Sequence, residues 1–188
     1  MVTTTRNNLV ESIEPMKAPA STAFLTGSWV KADGSGGVVP LTPTAKVLGL
    51  CGETVSSTDS NYATAKYISV DTVSKDVDRF LMPVISTITA GAFVTGTTYT
   101  ILTVGTTDFT LIGAASNTVG VSFVATGAGS GTGTATTAGG ATAAMEQLTF
   151  DVSGSDAYSL NITTAGTQFR ITKYISSTQV EVSVLLTQ

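Results

Sequence analysis

Residues Gly91–Thr136 read GAFVTGTTYTILTVGTTDFTLIGAASNTVGVSFVATGAGSGTGTAT, and this stretch decides the class of fold. Between Arg79 and Glu146 the only charged side chain is Asp108. Threonine and valine dominate the longer-chained residues, and both are stiff at χ1 and suit a pleated, half-buried surface. Strands are expected at Phe93–Val94, Thr98–Val104, Phe109–Leu111 and Val119–Thr126. In the second of these, Tyr99, Ile101 and Thr103 fall on one face and Thr100, Leu102 and Val104 on the other. Residues 127–136 alternate Gly or Ala with Ser or Thr, which fits a plain strand or a connector. Residues 137–142 read as a connector.

Outward from this block the sequence becomes conventional. On the C-terminal side, TQFRITKYISSTQVEVSVLLTQ is a hairpin with its turn near Ser176–Thr178. Val180, Val182 and Val184 alternate with Glu181 and Ser183, so the valines face a core and Glu181 faces solvent. On the N-terminal side, AFLTGSWVKAD, VVPLT, KVLGLCGETV, YATAKYISVDTV and RFLMPVI read as strands separated by turn signals. The near-continuous apolar run around Val47–Cys51 is the kind buried on both faces. Residues 1–23 carry Pro15 and Pro19, which oppose regular pairing. They read as an extended N-terminal arm, either a frayed terminus or a docking arm. Leu9, Val10, Ile13 and Met16 could form a short helical turn within it.

The expected fold is therefore all-β. It is a small β-barrel or sandwich with an inserted second small β module and an extended N-terminal arm. The expected domains are an arm (1–23), a barrel domain (24–87 plus 143–188) and an inserted Gly/Thr-rich module with a flexible connector (88–142).

Composition excludes several functions. Of 188 residues, 42 % are hydrophobic and only 12 % charged, against about 25 % charged in an average globular protein. The net charge is −4, and the nine Lys and Arg form no run. Nucleic-acid binding through phosphates needs clustered cations and is not expected, nor is a polybasic membrane anchor. The first residues have no apolar segment of a secretory signal, and no apolar run reaches the roughly 18 residues of a membrane span.

The inventory for chemistry is thin. There is no histidine, so a Ser–His–Asp or Cys–His arrangement cannot form. Cys51, the one cysteine, reads as a small buried hydrophobe. The carboxylates number 13 and are dispersed, which disfavours a two-carboxylate glycosidase. Asp71, Asp76 and Asp78 are the densest group, but they lack a calcium-loop pattern and sit beside Lys75 and Arg79. Gly127–Gly133 lacks the Lys-Ser/Thr and the helix that a phosphate loop needs. No catalytic residue, metal or cofactor is expected. Trp29, the single tryptophan, is a core candidate and also a candidate partner contact, because tryptophan is enriched in interface hot spots.

Certain motifs resemble a known group. Gly27-Ser28-Trp29-Val30-Lys31-Ala32-Asp33, followed by Gly37-Val38-Val39-Pro40 and Ala45-Lys46-Val47-Leu48-Gly49-Leu50, resembles the small β-barrel decoration (cement) proteins of tailed-phage heads. Phe169–Lys173 with Ser176–Val182 is similar to their closing hairpin, and Gly91–Thr136 is similar to a Gly/Thr-rich module of phage structural proteins. The resemblance implies a non-enzymatic virion protein, made in the host cytoplasm, that binds the major capsid protein on the outer capsid surface, with a homotrimer favoured. The alternative is a tail-associated module that binds a host receptor or glycan. Candidate partner residues are Trp29, Leu9, Ile13, Met16, Phe93, Tyr99 and Phe109.

Overall fold

The computed structural model describes residues 3–5, 13–73, 78–154 and 156–185. It is all-β, 45 % strand and 4 % helical, with two sheets in a sandwich-like arrangement. The strands are β1 (Thr3–Thr5), β2 (Ile13–Ala18), β3 (Trp29–Ala32), β4 (Val38–Pro40), β5 (Gly49–Cys51), β6 (Lys66–Thr72) and β7 (Arg79–Thr89). They continue as β8 (Thr98–Thr103), β9 (Ser122–Val124), β10 (Thr134–Ala138), β11 (Thr149–Val152), β12 (Leu160–Ala165), β13 (Phe169–Ser176) and β14 (Gln179–Val184). The chain divides into two compact units, Met1–Val84 with Ala141–Gln188, and Ile85–Gly140. Strand β7 runs unbroken past the expected boundary at residue 88. Its pairing with β14 ends at Pro83, which has no N–H to give, and its pairing with β10 begins at Ile85.

In the first unit a five-stranded sheet has the order β2-β6-β5-β3-β4. A single parallel bridge, Lys17↔Gly37, joins its first and last strands at one point. Only glycine fits there, because a Cβ on Gly37 would lie 2.6 Å from the Lys17 carbonyl oxygen. At β3 and β5 the sheet is buried on both faces, whereas Tyr67 of β6 is exposed. Val30, Cys51, Ile68 and Val70 pack with Ala18, Phe24, Val38 and Val55 in one cluster. Trp29 and Leu50 point the other way, into a larger cluster with the inner face of the second sheet. That sheet, β12-β11-β13-β14-β7 with β12 also paired to β7 and β1 added on β7, sends in alternate residues. Phe80, Met82 and Val84, Phe150 and Val152, Phe169 and Ile171, and Val180, Val182 and Val184 all reach this core. Burial of such rows on both sheets is the main driving force for the fold.

Two parts of the expected arm, β1 and β2, are paired strands. Residues 13–18 form strand β2, paired with β6 from Ile13↔Asp71 to Ala18↔Lys66, and Ala18 is in the core. Pro15 is tolerated because β2 is the end strand of its ladder. The helical turn expected over Leu9–Met16 is thus a strand from Ile13 onward.

In the second unit the order is β7-β10-β8-β9, with the β7 residues from Ile85. The inbound and outbound strands lie side by side and antiparallel, from Thr134↔Thr89 to Ala138↔Ile85. Ser86 Oγ donates to the Gly139 carbonyl at 2.7 Å. β10 takes the strand alternative for residues 134–136 and runs on over 137–138, which were expected to be connector. Its small side chains suit a strand flanked on both sides, with Ala135 fully buried. Where a strand was expected at Phe109–Leu111, Phe109–Ile112 is a 3-10 turn. Asp108 caps it, and Gly113 at φ 108° closes it.

Candidate functional site

The four aromatic side chains of the second unit form its core. Phe93, Tyr99, Phe109 and Phe123 stack with centroid separations from 4.9 to 6.0 Å. Phe109 is fully buried, Tyr99 and Phe93 nearly so. Trp29 has no exposed surface and sits 4.9 Å from both the Phe80 and Phe169 rings. These four expected partner contacts are therefore core groups, a correction forced by the apolar area each ring removes from water. Met16 is half-buried against the core of the five-stranded sheet. Ile13 is placed by its backbone in β2, and Leu9 lies outside the described residues.

The sites weighed for chemistry resolve into structure. Asp71 lies in β6 and Asp78 is buried, while Asp76 is outside the described residues. Among the described residues no group of three or more His, Cys, Asp or Glu could hold a metal ion. Burial raises the Cys51 thiol pKa, and the Sγ donates to the Glu53 carbonyl at 3.0 Å. The glycine-rich run is a close-packing device. A Cβ on Gly131 would lie 2.7 Å from Thr107 Oγ1, and one on Gly133 would lie 2.5 Å from the Val104 carbonyl oxygen. Hydroxyl pairs Thr103–Thr134 at 2.8 Å and Thr106–Thr132 at 3.3 Å run beside these approaches.

Asp108 is equally structural. Its Oδ1 accepts from the Thr110 hydroxyl at 2.6 Å, the Asn117 amide at 2.9 Å and the Thr110 N–H at 3.0 Å. Asn117 completes the loop by accepting from the Phe109 N–H at 2.7 Å. The Thr110 hydroxyl, then Asn117 and the Thr110 amide, hold the carboxyl below its ordinary value. The one charge of the second unit is thus spent on a cap. The same unit exposes four aliphatic side chains: Leu111 at 79 %, Val94 at 62 %, Val119 at 59 % and Val124 at 53 %. The alternation rule gave no signal for Leu111, because it lies on a turn rather than a strand.

The first unit carries a groove of about 760 Å³. Phe24, Leu41 and Val55 floor it, Leu25 stands 54 % exposed on one wall, and Asp156 and Tyr158 form another. Asp156 Oδ1 caps the turn by accepting from the Tyr158 and Ser159 N–H groups at 3.0 and 2.9 Å. Burial, and then the Asp156 charge, raise the Tyr158 phenol pKa. Thr42, also in the lining, accepts at Oγ1 from Lys31 Nζ at 2.9 Å. Thr42 and Ala45 are fixed in turn by the buried Gln168 amide, which donates to their carbonyls at 2.8 and 2.7 Å. No sequence pattern pointed to this groove, since its walls come from four separated segments.

No known protein family, curated protein or solved structure matches the chain.

Both surfaces suit non-covalent association. They offer apolar area, hydroxyls and a single engaged carboxylate each. Among the described residues no helix is long and apolar enough to cross a membrane.

Proposed function

We propose that the chain is a non-enzymatic structural protein of a tailed-phage virion, bound to the outer capsid surface and stabilising the shell. The observation that carries this reading is the surface of the second unit. Its one charge is tied into a cap, and four large aliphatic side chains stand in solvent. Soluble monomers guard sheet surfaces with charges, prolines or bulges. A unit with no proline and a single, engaged charge among residues 85–140 fits a setting where neighbouring copies or a shell cover it. The motif resemblance over Gly27–Leu50 and Phe169–Val182 supports the same reading. The partner is the major capsid protein, and copies of the chain associate as trimers. The tail-associated, glycan-binding reading drew on Phe93, Tyr99 and Phe109, whose burial leaves no exposed aromatic platform at those positions.

Stabilisation would follow from linkage. A protein that binds only the assembled shell favours it by about 2.7 kcal/mol per site at a concentration of 100 times Kd. The test is cryo-electron microscopy of particles, with purified chain added to shells that lack it. Density on the head and a higher temperature of genome release are expected. Density on the tail would end the capsid reading.

A further inference from the structure

The groove of the first unit is held open by its own backbone. Phe24 and Val55 exchange two hydrogen bonds, at 3.0 and 2.9 Å, and Leu41 N donates to the Trp29 carbonyl at 2.8 Å. The Asp156 wall is tied to the same core, because Trp29 N donates to the Ala157 carbonyl at 2.8 Å. The volume of about 760 Å³ lies within the roughly 300–1,000 Å³ of small-molecule sites, which are mostly apolar with a few placed polar groups. Among the described residues Asp156 is the only charged group in the lining. Its Oδ1 takes both bonds of the cap, and among the described residues no donor reaches Oδ2. Two further charges touch the lining from behind and offset each other: Asp59 Oδ2 accepts from the Ser56 N–H at 2.7 Å, and Lys31 donates to Thr42. The Asp156 charge acts along its wall, since it helps to raise the Tyr158 phenol pKa.

We infer that this groove binds a small organic amine, with its ammonium group on Asp156 Oδ2 and its hydrocarbon body over Leu41 and Val55, against the exposed Leu25. Charge complementarity selects this class. An ammonium is donor-only, and a carboxylate oxygen with spare acceptor capacity gives it a charge-assisted hydrogen bond. A purely apolar ligand would take the Asp156 carboxylate out of water without pairing it, which costs free energy. An anion would meet the same carboxylate with no cation in the lining to balance the repulsion. The site lies wholly within the first unit, and the inference stands apart from the proposed function.

The probe is n-hexylammonium, titrated into the full chain at neutral pH and followed by proton–nitrogen correlation spectra. Saturable shifts are expected at the amides of Leu25, Thr42 and Ala157, at several-fold higher affinity than for n-hexanol, and hexanoate should not bind. Asp156→Asn keeps the cap, because the amide oxygen accepts the same two N–H groups. It should weaken n-hexylammonium several-fold and leave n-hexanol unchanged. Leu25→Ser, at an exposed position, should weaken both. Equal affinity of the parent chain for the amine and the alcohol, binding of hexanoate, shifts confined to other parts of the chain, or n-hexylammonium binding unchanged in Asp156→Asn overturns the inference. The comparison of probes on the parent chain decides without a variant, should Asp156→Asn fold poorly. None of these readouts involves a particle, so they are separate from the test of capsid binding.

Discussion

Replacing Trp29 by phenylalanine should cost little, although the ring is completely buried. Its Nε1 has no hydrogen-bond partner among the described residues. An orphaned buried donor costs about 1–3 kcal/mol, and Trp29→Phe removes it. The apolar atoms lost are worth about 1.5 kcal/mol of transfer. A remaining void of roughly 40 Å³ adds about 1 kcal/mol. The balance lies within about 1.5 kcal/mol of zero. Trp29→Ala loses the contacts with both Phe80 and Phe169 and should cost about 3–5 kcal/mol. Urea unfolding followed by far-ultraviolet circular dichroism measures both variants. In the parent chain the fluorescence of this single tryptophan reports the first unit alone, so coincidence of the two probes tests whether the units unfold together. A cost above about 3 kcal/mol for Trp29→Phe would show that the indole N–H is satisfied and the reasoning wrong.

Excising residues 85–140 should leave a folded first unit that still binds capsid. Val84 N donates to the Thr178 carbonyl and Ala141 N to the Ser177 carbonyl, both at 3.0 Å, so one turn holds both cut ends and a short glycine linker can join them. Total loss of soluble protein would show that the second unit is integral. Gly133→Ala should destabilise the second unit by about 1–3 kcal/mol through overpacking, because its Cβ would also lie 2.7 Å from Thr107 Cβ. Thermal unfolding of the isolated unit reads that loss directly. Asp108 makes the unit acid-sensitive. Its folded pKa lies below the ordinary 3.8, so the cap contributes fully above that value and fades as pH falls through the folded pKa. Asp108→Ala should lower the melting temperature at neutral pH and flatten this acid dependence; an unchanged profile would remove the cap from the account.

The legible parts of the fold were those where one side-chain period dominates. In the closing hairpin the three valines of β14 are all fully buried as the alternation indicates, while Ser183 between two of them is buried as well and the β13–β14 register shifts twice. The run through Leu50 and Cys51 read as buried on both faces because it lacks alternation, and those two residues do serve opposite cores. Three elements were hidden for separate reasons. β2 contains a proline that only its end position makes harmless. Phe109–Ile112 is too short to show a period, although Asp108, Thr110 and Gly113 carried the signature of a capped turn. β10 has almost no side chain with which to announce itself, and its place between two strands comes from the backbone's need for partners. The groove was illegible because proximity, not pattern, assembles it.

The paired antiparallel strands at the base of the second unit have a genetic consequence. Its first and last residues leave neighbouring positions of one ladder, from Ile85 opposite Ala138. A DNA segment encoding such a unit can be spliced into any gene at a codon pair that specifies a hairpin tip. The recipient's own strands would keep their spacing across the inserted segment. Recombination between unrelated genes therefore meets no geometric penalty at this junction, and the abrupt change in residue usage at its borders is the trace such an exchange would leave.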